Sequence, residues 1–270
     1  MPRFRRATGR ISRRLSQHLA YPAGKLAAVK SKAPSLSIVI PVGPGDDTCA
    51  GLLKRITANP IACEVVLSLC KPLPRQNASR GRPGLELVEV HGPSGRAVQL
   101  NRGVSAATSD CLWLVHADSR PDAAVFSAAA AFAESAREQP MRLGWFTLAF
   151  AADGPRLALL NAHGANLRSR LLQMPFGDQA WLVSRTLFDR IGGFDEAFGR
   201  GEDLDFLVRA RRAGAYLERL EPAIVTSARR YRDHGWLATT LAHLWLTLRL
   251  WLKARWRASS TDTNVRSGKK

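Results

Sequence analysis

Between residues 36 and 117 four short strand-like runs, LSIVIPV (36–42), EVVLSL (64–69), LELVEV (85–90) and CLWLVHA (111–117), alternate with segments of helical spacing such as 48–58 and 96–107. Runs this apolar and β-branched suit strands covered on both faces. Their alternation with helices predicts an α/β fold with a mainly parallel central sheet. Beyond them the spacing predicts an alanine-rich helix over 123–138, a strand near 143–150, a helix around 155–172 and a short strand, AWLVS, at 180–184. A helix over 185–191, the turn GGF, a helix from about 202 to 213 and a last strand near 223–228 complete the series. A chain of 270 residues fits one such domain with decorations, or two domains at most.

Charge divides the chain further. The net charge is +18, but residues 1–32 hold nine bases and no acid, and residues 249–270 hold seven bases against Asp262. The body is therefore nearly neutral and both ends are cationic. We read a basic N-terminal arm over 1–34, a catalytic domain over 35–235, and a Trp/Leu-rich helix with a basic tail over 236–270. The arm reads either as a solvated appendage or as an anchor to an anionic surface. No apolar run follows its arginines, so it does not read as a secretory signal. Nucleic acid is not expected as a partner, because the body lacks basic residues interleaved with aromatics.

In the tail, Arg249 interrupts the apolar run, which is too broken for a comfortable transmembrane helix. Trp236, Trp245, Trp251 and Trp256 with flanking bases suit an amphipathic helix lying in a membrane interface; a helix packed on the core is the competing reading. Cys49, Cys63, Cys70 and Cys111 form no CxxC pair and have no histidine at ligand spacing, which predicts a reducing compartment and no structural zinc.

The chemistry-bearing residues fall in three clusters. Asp118 follows the strand LWLVHA, where an open α/β sheet forms its ligand crevice, and His116 stands two residues before it. GDQ occupies 177–179. In IGGFDEAFGRGEDLDF (191–206), Glu202 and Asp203 fall on the first turn of a helix. Each carboxylate alone also has a structural use, capping or stabilisation by the helix dipole. Together they form the set that transfer from a phosphorylated donor requires: one acid to hold a divalent cation, another to take a proton from the attacking hydroxyl.

Taken in order, IVIPV, GRAVQLNRGVSAATSD, LWLVHADSRP, GDQAWLVSRTLFDRIGGFDEAF, GEDLDFLVRARRAG and TSARRY closely resemble family-2 glycosyltransferases. They look most like the bacterial subfamily found beside radical-SAM and selenium-related genes, over roughly residues 35–255. The resemblance implies a single nucleotide-diphospho-sugar-transferase domain of the glycosyltransferase A type, and inverting transfer dependent on Mg²⁺ or Mn²⁺. Asp118 matches the metal- and diphosphate-binding aspartate of the DxD-like motif, and Asp203 the general base, with Glu202 beside it. Arg229, Arg230 and Tyr231 match a basic-aromatic motif near the diphosphate, and Arg96 and Asn101 the segment lining the nucleotide pocket. Asp178 and Gln179 stand where acceptor or sugar is reached, and His116 reads as structural. The implied partners are a nucleotide-sugar donor and an unknown hydroxyl acceptor, for which a lipid-linked alcohol is one candidate; the cationic ends and the tail helix add an anionic membrane at the cytoplasmic face.

The sequence departs from the family after its second strand, where an acidic DGGSTD-type run is replaced by LSLCKPLPRQNASRG. Ser68, Arg75, Asp46 and Asp47 are the possible substitutes for its nucleotide contact. The departure keeps open a catalytically silent relative that binds membrane or a partner. A nucleotidyltransferase would want a glycine- and lysine-rich phosphate loop, and GPGDD has no base.

Overall fold

A computed structural model describes residues 35–46, 48–72 and 84–267, with side chains as far as 253. The basic arm (1–34), Asp47, and Arg75 with most of its loop lie outside the described residues.

Seven strands form one sheet: β1 (Leu36–Val42), β2 (Cys63–Leu69), β3 (Leu85–His91), β4 (Cys111–Leu114), β5 (Arg142–Phe150), β6 (Leu182–Ser184) and β7 (Tyr216–Thr226). Their spatial order is β3-β2-β1-β4-β6-β5-β7. Neighbours pair parallel except where β6 runs antiparallel to β4 and β5. The sheet is thus mainly parallel, as the strand-helix alternation predicts. β1 and β4 are neighbours although two strands intervene in the chain, so the strand order reverses there. In an open α/β sheet the ligand crevice lies beyond the carboxyl ends at such a point.

Every residue of β2 is buried and β1 is buried but for Pro41, because helices cover both faces. α1 (Cys49–Ala58) and α3 (Ala123–Ser135) contribute to one apolar cluster; α2 (Arg96–Ala106), α5 (Arg185–Arg190) and α6 (Glu202–Arg212) contribute to the other. Asp122 caps α3 by accepting from Val125 N at 2.9 Å, and Ser184 caps α5 through Leu187 N at 3.0 Å. Burial pushes the Cys49 and Cys111 thiols up to about 12, so both act as small core hydrophobes.

Two strand boundaries differ most from expectation. β4 ends at Leu114, not Ala117, because the chain turns there: Ser119 N donates to His116 O at 3.1 Å. β7 begins at Tyr216, seven residues earlier than predicted. It is an edge strand whose outer half carries Glu218, Arg219 and Glu221, and its pairing with β5 slips between Phe146 and Leu148, opposite the stretch holding Pro222.

α4 (Ala158–Leu171) packs on β5, where the Asn166 amide spans the backbone N and O of Leu148 at 2.8 and 3.0 Å. A short α7 (Arg229–Asp233) leads into α8 (Trp236–Ser267), longer than the expected 236–257. One face of α8 packs on the body: Leu250 lies against Gly201, and Lys253 Nζ donates to Phe198 O at 3.0 Å. Its opposite face is exposed. Among the described residues no helix is long and apolar enough to cross a membrane.

Candidate active site

Beyond the end of β4 the chain carries Asp118 across to β7. Arg120 N donates to Val225 O at 2.7 Å, and the Arg120 guanidinium pairs with Asp153 at 2.6 Å. Asp153 also accepts from Ser227 Oγ at 2.9 Å and Ala228 N at 2.8 Å, which fixes the start of α7 and with it Arg229 and Arg230. Asp118 is consequently held near Thr226, Arg229 and Asp46. Burial pushes its carboxyl above the ordinary value; Arg229 pulls it down, Asp46 pushes it up, and a hydrogen bond with Thr226 lowers it. Arg229 stands 4.0 Å from Asp46, so the turn after β1 and the end of β7 meet over the switch point.

The second half of the site comes from the 177–179 turn and the N-terminus of α6. Gly177 N donates to Asp203 Oδ2 at 3.1 Å, while Asp203 Oδ1 accepts from Leu204 N at 2.8 Å. Free N–H groups and the dipole at this helix end suit a carboxylate. Glu202 is buried, pairs with Arg96 Nε at 3.2 Å and accepts from Gly201 N at 3.1 Å. Its carboxyl is raised by burial, with Arg96 opposing and Asp203 adding. Gly177 lets the Arg96 guanidinium lie close: a Cβ at that position would stand 2.5 Å from Arg96 Nη2, which would have to shift, and 3.5 Å from His116 Nε2.

Asp178 joins the two halves. Burial raises its carboxyl; Arg168 lowers it, Asp203 raises it, Arg96 lowers it and Asp118 raises it. Four carboxylates from three separate segments therefore share one region with Arg96 and Arg168. Two buried polar atoms there, Asp178 Oδ1 and His116 Nε2, have no hydrogen-bond partner among the described residues. Buried polar atoms are rarely left so, and a bound ligand would satisfy them. Burial depresses the His116 pKa well below its usual value, with Arg96 and Arg230 adding to the effect, so the imidazole is neutral.

The stability cost of this arrangement can be measured. A buried carboxyl whose folded pKa is raised favours the protonated form, so its contribution to stability is present at low pH and lost as pH rises through the folded value. Asp178→Asn should therefore raise the melting temperature at pH 7.5 by roughly 2–4 °C, about 1 kcal/mol, with a smaller gain at pH 5. Thermal unfolding at the two pH values checks it; an unchanged or lower melting temperature at pH 7.5 would contradict it.

Not every expected residue faces the site. Gln179 is fully buried: its Oε1 accepts from Ser169 Oγ at 2.7 Å and Phe176 N at 3.0 Å, and its Nε2 donates to Phe146 O at 3.2 Å. Its amide holds the loop in place and does not reach outward to an acceptor. Asn101 spends its amide on the backbone of Phe194, at 2.9 Å in both directions, and on Glu196. It fixes the turn that precedes α6. Ser68 is sealed in β2 with no exposure, which removes it as a nucleotide contact. Asp46, the other candidate among the described residues, stands near Asp118.

Arg168 and Thr226 escaped the sequence reading. Arg168 lies over the Phe176 ring at 3.6 Å and donates to Met174 O at 3.0 Å. Burial lowers its pKa, and Asp178 and Asp203 raise it in turn, as facing carboxylates do. Tyr231 connects the site to an open groove of about 700 Å³ lined by residues 152–155, Arg232, Gly235 and Trp236. Beneath Asp203 there is only a slit of about 10 Å³, bordered by Arg96, His116 and Trp181.

Among the described residues no three His, Cys, Asp or Glu side chains are grouped to hold a metal by themselves. Asp118, with Asp46 and Asp178 in its field, instead offers one or two hard oxygen ligands. That donor set fits Mg²⁺ or Mn²⁺ when phosphate oxygens and water complete the shell.

No protein-family model matches the chain, and neither does any curated protein. Solved structures do. TarS 1-349 from S. aureus superposes with a TM-score of 0.54 at 15% identity, over 71% of this chain and 60% of that one. Its complex with UDP-GlcNAc gives 0.54 at 16%, over 71% and 58%. The mannosyltransferase PcManGT from Pyrobaculum calidifontis, in complex with GDP-Man and Mn²⁺, gives 0.54 at 17%, over 73% and 57%. The chain thus spans about three fifths of the length of these proteins. At such identities the likeness establishes the fold, which is of the glycosyltransferase A type.

Proposed function

We propose that the chain is an inverting, metal-dependent glycosyltransferase of family 2, from the radical-SAM- and selenium-associated bacterial subfamily, with residues 35–235 as its catalytic domain. The observation that carries this reading is the convergence of Asp118, Asp178, Glu202 and Asp203 at the switch point of the sheet, with Asp178 Oδ1 and His116 Nε2 unsatisfied. Neighbours of the same fold hold UDP-GlcNAc or GDP-Man, which makes a nucleotide-diphospho-sugar the donor to test first.

Each residue then has a task. Asp118 holds the cation and so the diphosphate, with Asp46 beside it. The cation, when bound, neutralises charge on the leaving group. Arg229 and Arg230, exposed at the rim, take the outer phosphate oxygens. Asp203 accepts the proton of the acceptor hydroxyl as its oxygen attacks the anomeric carbon and the bond to diphosphate breaks. A single displacement inverts that carbon and needs no enzyme nucleophile. Arg96 pairs with Glu202, and Arg168 faces Asp178 and Asp203. The acceptor is an alcohol carried on a lipid, and the protein works at the cytoplasmic face of the membrane through α8.

The narrow slit and the missing acidic run favour the silent relative as the second reading. Thermal-shift and donor-hydrolysis measurements with UDP- and GDP-sugars, with and without Mn²⁺, separate the two. We expect Mn²⁺-dependent stabilisation by at least one donor, together with slow hydrolysis. No response to any donor would leave only the silent relative.

A further inference from the structure

Thirteen large apolar side chains are exposed among the described residues, and all but Tyr216 lie on two segments, α4 with its flanks and α8. On α4, Leu160, Leu167 and Leu171 follow one another at helical spacing on the side away from buried Ala158, Ala162 and Ser169. On α8, Leu237, Leu241, Leu244, Trp245, Leu248 and Leu252 form a second stripe, opposite the face on which Thr239 is buried and Leu250 meets Gly201. The helices touch side by side: the Asn161 amide donates to Thr240 Oγ1 at 3.0 Å and accepts from Trp236 Nε1 at 2.5 Å. Single exposed leucines need no explanation, whereas two adjacent stripes do.

Charge selects the occupant. Residues 154–177 and 234–261 contain no aspartate or glutamate, while Arg156, Arg170, Arg249 and Lys253 are exposed along these helices. A second copy would bring the same positive charge to the contact. Arg249 lies over the Trp245 ring at 5.2 Å, a pairing suited to the headgroup region.

We propose that α4 and α8 together form one face that seats on an anionic phospholipid bilayer. Half of the anchor therefore belongs to the globular body and not to the C-terminal helix. The 700 Å³ groove, lined by residues 152–155, Tyr231, Arg232, Gly235 and Trp236, lies where the chain enters the two helices. The proposal requires no turnover, and its outcome is independent of the transferase reading.

The test is sedimentation of the full chain with vesicles of phosphatidylglycerol and phosphatidylcholine, against phosphatidylcholine alone. The triple variant Leu160→Gln, Leu167→Gln, Leu171→Gln should bind the anionic vesicles at least about tenfold more weakly. So should Leu241→Gln, Leu244→Gln, Leu248→Gln, and the two sets combined should abolish binding. Should a variant misfold, hydrogen exchange in the wild-type chain serves instead: residues 157–172 should become protected when anionic vesicles are added. Wild-type binding by the folded α4 variant, or no protection of 157–172, would overturn the proposal. So would a concentration-dependent dimer dispersed by the same substitutions, which would make a second copy the occupant.

Discussion

Replacing Asp203 with asparagine should leave donor-dependent stabilisation in place and cut turnover by about a thousandfold or more, the scale expected when a positioned general base is lost. Three features single this residue out among the four acids. It stands on the first turn of α6, where backbone N–H groups of Gly177 and Leu204 orient its two oxygens at 3.1 and 2.8 Å. It also borders the slit shared with Arg96 and His116, so one edge faces open space. Glu202, its neighbour, is buried and already engaged by Arg96 and Gly201 N. Asparagine keeps one acceptor oxygen for Leu204 N and removes the charge, so the fold should survive. Initial rates at saturating donor, beside donor-induced melting shifts, measure both effects. Equal turnover in the variant would remove Asp203 as base. If Asp178→Asn were then the inactive variant, its unsatisfied Oδ1 would identify the base instead.

How far such a site can be read from sequence depends on the kind of residue. β1 and β2 were legible because burial on both faces leaves short apolar, β-branched runs, Ile38–Ile40 and Val65–Leu67. β7 was half hidden because its outer half, on the sheet edge, carries Glu218, Arg219, Glu221 and Pro222 with no apolar periodicity, so its first seven residues look like a loop. Asp118 and Asp203 were legible because strand ends and helix starts direct a side chain toward the crevice wherever the fold is α/β. Asp178 and Gln179 are adjacent in sequence and looked alike. The single helical turn over 177–179 sends one toward the facing carboxylates and the other into the core, a difference of direction that spacing does not encode. Arg168 was invisible for a related reason. It stands in the last turn of α4, between Leu167 and Ser169, and its contacts depend on Phe176 and Met174 folding back beneath it. The one available signal was its place in an acid-free helix: a cation with no partner on its own helix has to find one elsewhere.

Substituting Asp118 with asparagine should weaken Mn²⁺-dependent donor binding by about a hundredfold or more, since changes one shell further from a metal already cost 10–100-fold. The reason lies in what surrounds the carboxylate. Burial pushes its proton affinity up most and Asp46 adds to it, against Arg229 and the hydrogen bond with Thr226, while Asp118 in turn raises the buried carboxyl of Asp178. A divalent cation is the partner that relieves this repulsion, and a neutral amide at position 118 removes both the ligand and the need. The same substitution should raise the melting temperature of the cation-free protein at neutral pH, because a buried charge that the fold disfavours has gone. Binding and stability thus move in opposite directions. A residue that merely braces the 116–120 turn would lose both together when its hydrogen bond with Thr226 is weakened, and that joint loss is the result that would refute a cation-holding role for Asp118.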